Sequence, residues 1–358
     1  MKIEKELIPH ERRKAICEDP LKLDFGKNFT DHMFTMDYTP SEGWKNPTIK
    51  PYQSLVLDPA TVMFHYSQAA FEGQKAYKSP EDEILLFRPH ENARRLNRSL
   101  SRMCIPEIPE DVYLQAEREL LQVEERWIPM RKGAALYIRP TVIPTEVLIG
   151  PVVPSETYLF FIILSPVGPF YPEGFNPVSL LVDEVYSRAA PGGTGEAKTG
   201  GNYAGTMIVS QLARERGYSQ VLWLDAKEHR YIEEVGAMNI FFVIKDTLIT
   251  PPLSGTILPG ITRKSVLEMA GDLGIEVEER PMTLQELIEG IRSGAVTEVF
   301  GAGTAAVISP VGRIGYAGED YVVNNNETGY WSRQFFDTLT GIQYGELEDR
   351  YGWVYKVS

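Results

Sequence analysis

Hydrophobic positions along this chain recur with two periods. Short apolar runs bounded by glycine or proline predict buried strands at 84–87, 134–139 and 158–164. Between them, apolar residues spaced three and four apart predict helices over 90–103 and 111–125. The first half therefore reads as α/β. Ser165-Pro-Val-Gly-Pro-Phe-Tyr-Pro-Glu-Gly-Phe-Asn-Pro177 follows, with four prolines and two glycines, as a connection between domains would. The expected division is a domain at 1–165, a linker at 166–177 and a second domain at 178–358. In that second domain, strands are expected at 178–185, 220–224, 240–244, 275–279 and 297–300, and helices at 207–216, 262–273, 284–292 and 332–339. Such a mixture can wrap into a barrel-like sheet with peripheral helices. No internal repeat or low-complexity tract interrupts it.

Composition narrows the classes of function. With 358 residues and 43% hydrophobic content the chain can bury two ordinary cores. A net charge of -13 opposes nucleic acid and anionic membrane as partners, since both select a concentrated basic surface. Cys17 and Cys104 lie far apart, giving no disulfide framework, and a reduced cytoplasm is expected. The stretch from Met1 to Leu23 is too charged for a signal or anchor, and no apolar run reaches the roughly 18 residues a bilayer requires. The five histidines are scattered without metal-ligand spacing, so no metal site is expected. A Gly-x-Ser-x-Gly elbow and a dinucleotide-binding glycine fingerprint are both missing from the sequence.

Lys198 carries the candidate chemistry. It lies in Pro191-Gly-Gly-Thr-Gly-Glu-Ala-Lys198-Thr-Gly-Gly-Asn-Tyr203-Ala-Gly205, where glycines flank one primary amine on both sides. Glycine lets backbone approach a bulky group closely, at a cost in chain entropy. A surface lysine in a glycine loop is one reading. A degenerate phosphate loop is a second, but Ala197 replaces the glycine that must precede the lysine, and Gly200-Gly201 stand where a helix should begin. The third is a Schiff-base lysine for an aldehyde cofactor, foremost pyridoxal phosphate. That cofactor needs an acid against its ring nitrogen, and Glu233-Glu234 supplies two, of which one would reach a pocket and the other solvent. Its phosphate needs amides and a cation. Leu258-Pro-Gly-Ile-Thr262 leads into a helical pattern with Thr262 available as a cap, and Gly301-Ala-Gly-Thr304-Ala305 forms a second small-residue turn. Several arginines lie within 90–98, and composition does not choose among them.

Taken together, Phe29-Thr-Asp-His-Met33, Tyr66-Ser-Gln-Ala-Ala-Phe71-Glu-Gly73, Leu136-Tyr-Ile-Arg-Pro140, Lys198-Thr-Gly-Gly-Asn-Tyr203, Glu234-Val-Gly-Ala-Met-Asn239, Leu258-Pro-Gly-Ile-Thr262 and Phe300-Gly-Ala-Gly-Thr304 resemble the branched-chain amino acid aminotransferases, of the fold-type IV pyridoxal-phosphate enzymes. The resemblance implies a smaller N-terminal α/β domain, a larger C-terminal pseudo-barrel domain and a cytoplasmic homodimer. It implies that Lys198 carries pyridoxal 5'-phosphate and moves the substrate proton, that Glu234 pairs with the ring nitrogen, and that Tyr203 bonds the ring oxygen. Arg95, the amides of Ile261 and Thr262, and Thr304 would hold the phosphate. Phe29, Phe71, Tyr137, Arg139 and the backbone at Ala305 would meet substrate, with Tyr66 supplied by the neighbouring subunit. The implied reaction is ping-pong amino transfer between L-leucine, L-isoleucine or L-valine and 2-oxoglutarate, in amino-acid biosynthesis. Three departures stand out: Ala306-Val-Ile308 where mammalian members carry Cys-x-x-Cys, Ala237 where several relatives have a hydroxyl, and Phe170 where a tyrosine is usual.

Overall fold

Alternation along the strand Ala135–Pro144 sets the first core. Leu136, Ile138 and Val142 point to one face, while Ala135, Tyr137 and Arg139 point to the other. In this computed structural model, which describes residues 1–170 and 175–357, that strand pairs antiparallel with Tyr158–Val167 along its whole length. The sheet runs Glu4–Lys5, Gly43–Pro51, His32–Thr39, Tyr158–Val167, Ala135–Pro144, Gln74–Lys78, Ile84–Phe87 and Val354–Val357, with Ala70–Phe71 also paired to Ala135–Pro144. Helices Pro89–Arg102 and Glu110–Val123 share its core, Leu96, Leu100, Ala116 and Leu120 joining Phe34, Leu136 and Phe160.

Contacts divide the chain into two units, one of Met1–Phe170, Ala197–Gly200 and Gly341–Ser358, the other of Tyr171–Glu196 and Gly201–Thr340. Residues 171–174 of the linker expected at 166–177 lie outside the described residues. The end of the chain differs from expectation. Residues after 340 were assigned by sequence to the second domain, yet Val354–Val357 completes the edge of the first sheet against Ile84–Phe87. An edge strand presents unpaired amide and carbonyl groups, and this strand satisfies one row of them. Beside it Arg88 N donates to Trp353 O at 2.7 Å, and the Arg88 guanidinium lies 5.0 Å from the Trp353 ring.

The second unit holds the barrel. Ile232–Val235, Gln220–Leu224, Val178–Val182, Val307–Tyr316, Val296–Gly303 and Met238–Ile244 pair in turn, and Met238–Ile244 pairs back to Ile232–Val235 to close the ring. Thr247–Thr250 and Glu276–Glu279 extend it, and Leu222, Val235, Ile240, Phe242, Val299 and Ile314 fill a core. Helices appear at Met207–Glu215, Ile261–Asp272, Leu284–Ser293 and Tyr330–Gln343, close to the expected positions. No helix among the described residues is long and apolar enough to cross a membrane.

Candidate active site

In the first unit, Lys198 is held by its backbone. Its N–H donates to Ser99 Oγ at 2.9 Å, its carbonyl accepts from Phe71 N at 3.0 Å, and Thr199 Oγ1 donates to Ala69 O at 2.6 Å. The segment is thereby fixed to the short strand Ala70–Phe71 and to the helix Pro89–Arg102. The amine itself lies 5.3 Å from the centre of the Phe71 ring.

The helix also selects one arginine from its cluster. Asn92, Arg95, Leu96 and Ser99 recur at three- and four-residue spacing on the buried face, while Arg94 and Arg98 are exposed. Arg95 Nε and Nη2 donate to the two oxygens of Glu72 at 2.7 and 2.8 Å. Glu72 accepts further bonds from Asn92 at 2.8 Å and Gly73 N at 3.1 Å. Burial pushes the Glu72 carboxyl up, but the charges of Arg95 and Lys198 and the bonds from Arg95 and Asn92 outweigh it and hold the group below its ordinary value. The guanidinium is thus locked in one plane, with part of its donor fork directed elsewhere.

Next on the opposite face of the sheet stand Tyr137 and Arg139. Arg139 Nη2 donates to Tyr137 Oη at 2.9 Å, and its guanidinium lies 4.8 Å from the Phe71 ring and 5.2 Å from that of Tyr137. Its Nε is buried without a hydrogen-bond partner among the described residues. Gly73 makes room for this arrangement, since a Cβ there would lie 2.0 Å from Tyr137 Oη. A cation stacked between aromatic faces, with an orphaned donor, suits an acid that can lie against apolar walls. Phe29 stacks on Tyr52 at 5.1 Å and lines a cavity of about 710 Å³ with Lys14 and Trp127, a lining that includes none of Phe71, Tyr137 and Arg139. Tyr66 ends the helix Val62–Tyr66, its hydroxyl donating to Gly150 O at 3.0 Å.

In the second unit, Glu234 lies on Ile232–Val235, one strand of the closed ring, and shares a face with its cross-strand partner Trp223. With Tyr203, Arg188, Trp223, Ala237 and Leu258 it lines a cavity of about 200 Å³. Glu234 Oε2 is 2.5 Å from Arg188 Nε, and Oε1 accepts from Asn239 Nδ2 at 3.2 Å. The expectation that one of the adjacent acids meets solvent is corrected here: Glu233 is buried too, on the other face of the strand, where it accepts from Thr256 Oγ1. Alternation did separate the two side chains, but Ile232–Val235 is paired on both sides within the closed ring and buried at all four positions, so neither face meets solvent.

The phosphate candidates of this unit sit at two chain turns. Gly260 precedes the helix Ile261–Asp272 and provides no side-chain cap, and its first turn carries no acid. The N–H groups of Ile261 and Thr262 thus lack helical acceptors, and the helix dipole favours an anion there. Thr262 is therefore the second helical residue and not the cap. Gly260 is required by close approach: a Cβ would lie 2.0 Å from Asn239 Oδ1. Thr304 and Ala305 form the turn between Val296–Gly303 and Val307–Tyr316, and both are half-buried. Within the second unit, the two chain turns and the acid-lined cavity fit a phosphorylated pyridine; within the first, the fixed guanidinium of Arg95 fits an anion.

Four residues with roles in this arrangement escaped the sequence reading: Glu72, Ser99, Arg188 and Asn239. Glu72 could have been found, because an acid within Gln68-Ala-Ala-Phe-Glu-Gly73 breaks an otherwise uncharged stretch and demands a cation. Arg188, ten residues before Lys198, gives no such signal.

Residues 69–314 match the family model described as amino-transferase class IV. The chain is 50% identical over 340 residues to branched-chain-amino-acid aminotransferase 2 of Bacillus subtilis strain 168, covering 95% of this chain and 93% of that one. Among solved structures, the branched-chain amino acid aminotransferase of Escherichia coli superposes with a TM-score of 0.76 at 28% identity, covering 92% of this chain and 99% of that one. The branched-chain amino acid aminotransferase of Thermobaculum terrenum, in its PLP form, has a TM-score of 0.72 at 24% identity, covering 92% of this chain and 98% of that one.

Proposed function

The chain belongs to the class IV aminotransferases, among the branched-chain-amino-acid aminotransferases, and on that premise we propose that it transfers the amino group of L-leucine, L-isoleucine or L-valine to 2-oxoglutarate. Pyridoxal 5'-phosphate, when bound, takes up the amino group and withdraws the electrons freed at the substrate alpha carbon. Lys198 is assigned the cofactor attachment and the movement of the proton at that carbon. Glu234 holds the ring nitrogen protonated and Tyr203 bonds the ring oxygen. Arg95, the amides of Ile261 and Thr262, and Thr304 bind the phosphate, which a helix start and a fixed guanidinium suit by charge and geometry.

The observation that carries the substrate class is Arg139 between Phe71 and Tyr137, its Nε buried and unpartnered among the described residues. Aromatic faces accept aliphatic side chains, and the guanidinium accepts the side-chain carboxylate of glutamate, so one site serves both partners of a ping-pong exchange. Phe29 and the backbone at Ala305 complete the assignment, with Tyr66 contributed by a second copy in a cytoplasmic homodimer. The purified protein is expected to absorb in the visible, to lose that band on borohydride treatment, and to lack it as Lys198→Ala. Comparing kcat/KM for L-leucine and D-alanine with 2-oxoglutarate tests the substrate: preference for the D-isomer overturns the proposal.

A further inference from the structure

Two adjacent buried acids lie near one cation in the barrel unit, and only Glu234 is ion-paired with it. Glu233 and Glu234 project to opposite faces of Ile232–Val235, and the side chain of Arg188 is only 8% exposed beside a Glu234 side chain that is 4% exposed. The guanidinium is anchored before it meets either acid. Its Nη2 donates to Thr256 O and, at 3.3 Å, to Gly195 O. Gly195 is needed for that convergence, as a Cβ there would lie 2.4 Å from Thr256 O. With those two carbonyls holding one end, the guanidinium forms an ion pair with Glu234, Nε lying 2.5 Å from Oε2. On the other side Asn239 Nδ2 bridges Glu234 Oε1 and, at 2.9 Å, the carbonyl of Leu258.

Glu233 has a different environment. It accepts one hydroxyl, from Thr256, and its Oε2 is buried with no hydrogen-bond partner among the described residues. Burial pushes its carboxyl up, the Thr256 bond and the more distant charge of Arg188 oppose this, and Asp225 adds to the rise. One cation cannot neutralise two buried carboxylates, and a buried carboxylate without a cation takes up a proton instead.

We propose that Arg188 is a positioning residue that makes Glu234, and not its neighbour Glu233, the anion presented to the cofactor ring. The inference rests on the reading that Glu234 pairs with the ring nitrogen: strand alternation places Glu234 and not Glu233 at the cavity, and Arg188 keeps it ionised there. A neutral acid at 234 would donate to the ring nitrogen and could not keep it protonated. Arg188 therefore acts on the ring through Glu234, without touching it.

The test uses holoenzyme loaded with cofactor labelled with nitrogen-15 in the ring, and reads the nitrogen chemical shift near neutral pH. Wild type and Glu233→Gln are expected to show a protonated ring nitrogen. Arg188→Met and Arg188→Gln are expected to move the signal toward the unprotonated position, with kcat falling about tenfold or more and KM for the amino donor little changed. Arg188→Lys, which keeps the charge, is expected to restore most of the protonated signal; a merely structural role would not track charge in this way. If Arg188→Met does not fold, Arg188→Gln carries the test, because it keeps a polar side chain at that position without the charge. A protonated nitrogen in both neutral variants overturns the inference while Glu234→Ala remains unprotonated. If Glu234→Ala itself stays protonated, the reading of Glu234 falls first and takes this one with it.

Discussion

Glu72 shows how one side chain can decide what another does. Its two oxygens take both Arg95 donors of one edge, so the arginine is fixed before any anion arrives. Removing one member of a buried pair leaves an uncompensated charge, so Glu72→Ala is expected to cost about 3–5 kcal/mol in urea unfolding, with Arg95→Ala similar. A loss under about 1 kcal/mol would mean the pair adds little, as surface pairs do. Glu117 tests the opposite sign. It is buried on Glu110–Val123 beside Gln74 and Tyr113, and burial pushes its carboxyl well above the ordinary 4.5, with a bond from Tyr113 opposing and the charge of Glu72 adding to the rise. Above 4.5 the unfolded chain releases this proton while the folded chain keeps it. Stability should therefore fall as pH climbs from there toward the raised value. Glu117→Gln should flatten that slope and be the more stable protein at neutral pH, read as urea midpoints between about pH 5 and 8. The sequence made Lys198 conspicuous through its glycines, whereas Arg95 was named only through the family resemblance, since composition did not choose among the arginines of 90–98. What it did not expose was the counter-charge at 72 and 188, since ion pairing depends on which distant strands are brought together.

At the scale of elements, period was readable where a segment made its own case. The helices Pro89–Arg102 and Glu110–Val123 fall within two residues of the positions expected from apolar spacing. The strand Val307–Tyr316 was missed, because Pro310, Gly312 and Gly315 break its pattern. It forms because neighbours pair with it on both sides, and glycine is needed at 315, where a Cβ would lie 2.1 Å from Tyr218 Oη. The helix Leu284–Ser293 is the opposite case, written wholly in local residues. Thr283 Oγ1 accepts from Glu286 N at 3.0 Å, and Gly294 closes the far end at φ +74°. Thr283→Ala should cost about 1 kcal/mol of stability, while Thr283→Ser should be near neutral; both are read from thermal or urea unfolding, and equal losses would show that the hydroxyl is not the cause.

Across the whole molecule, the first unit is assembled from three separate stretches of chain. Nothing in composition marks the returns: 197–200 is one turn of a glycine-rich loop, and Val354–Val357 is too short to declare itself by alternation. Yet both returns do physical work. The first brings Lys198 to Ser99 and Phe71, and the second covers the edge of Ile84–Phe87 through four residue pairs. A fragment ending at Phe170 would expose that edge with Leu85, Leu86 and Phe87 on it, an invitation to pair with another chain. It would also lose Trp353, whose carbonyl holds Arg88 N and whose ring meets Phe87 at 5.5 Å. Residues 1–170 alone are therefore expected to aggregate, and the same fragment with residues 341–358 joined by a flexible linker to remain dispersed, with amides of Ile84–Phe87 protected from hydrogen exchange. Light scattering and exchange on the two fragments decide it. Equal dispersity and equal protection would show that the first sheet holds its edge without the end of the chain.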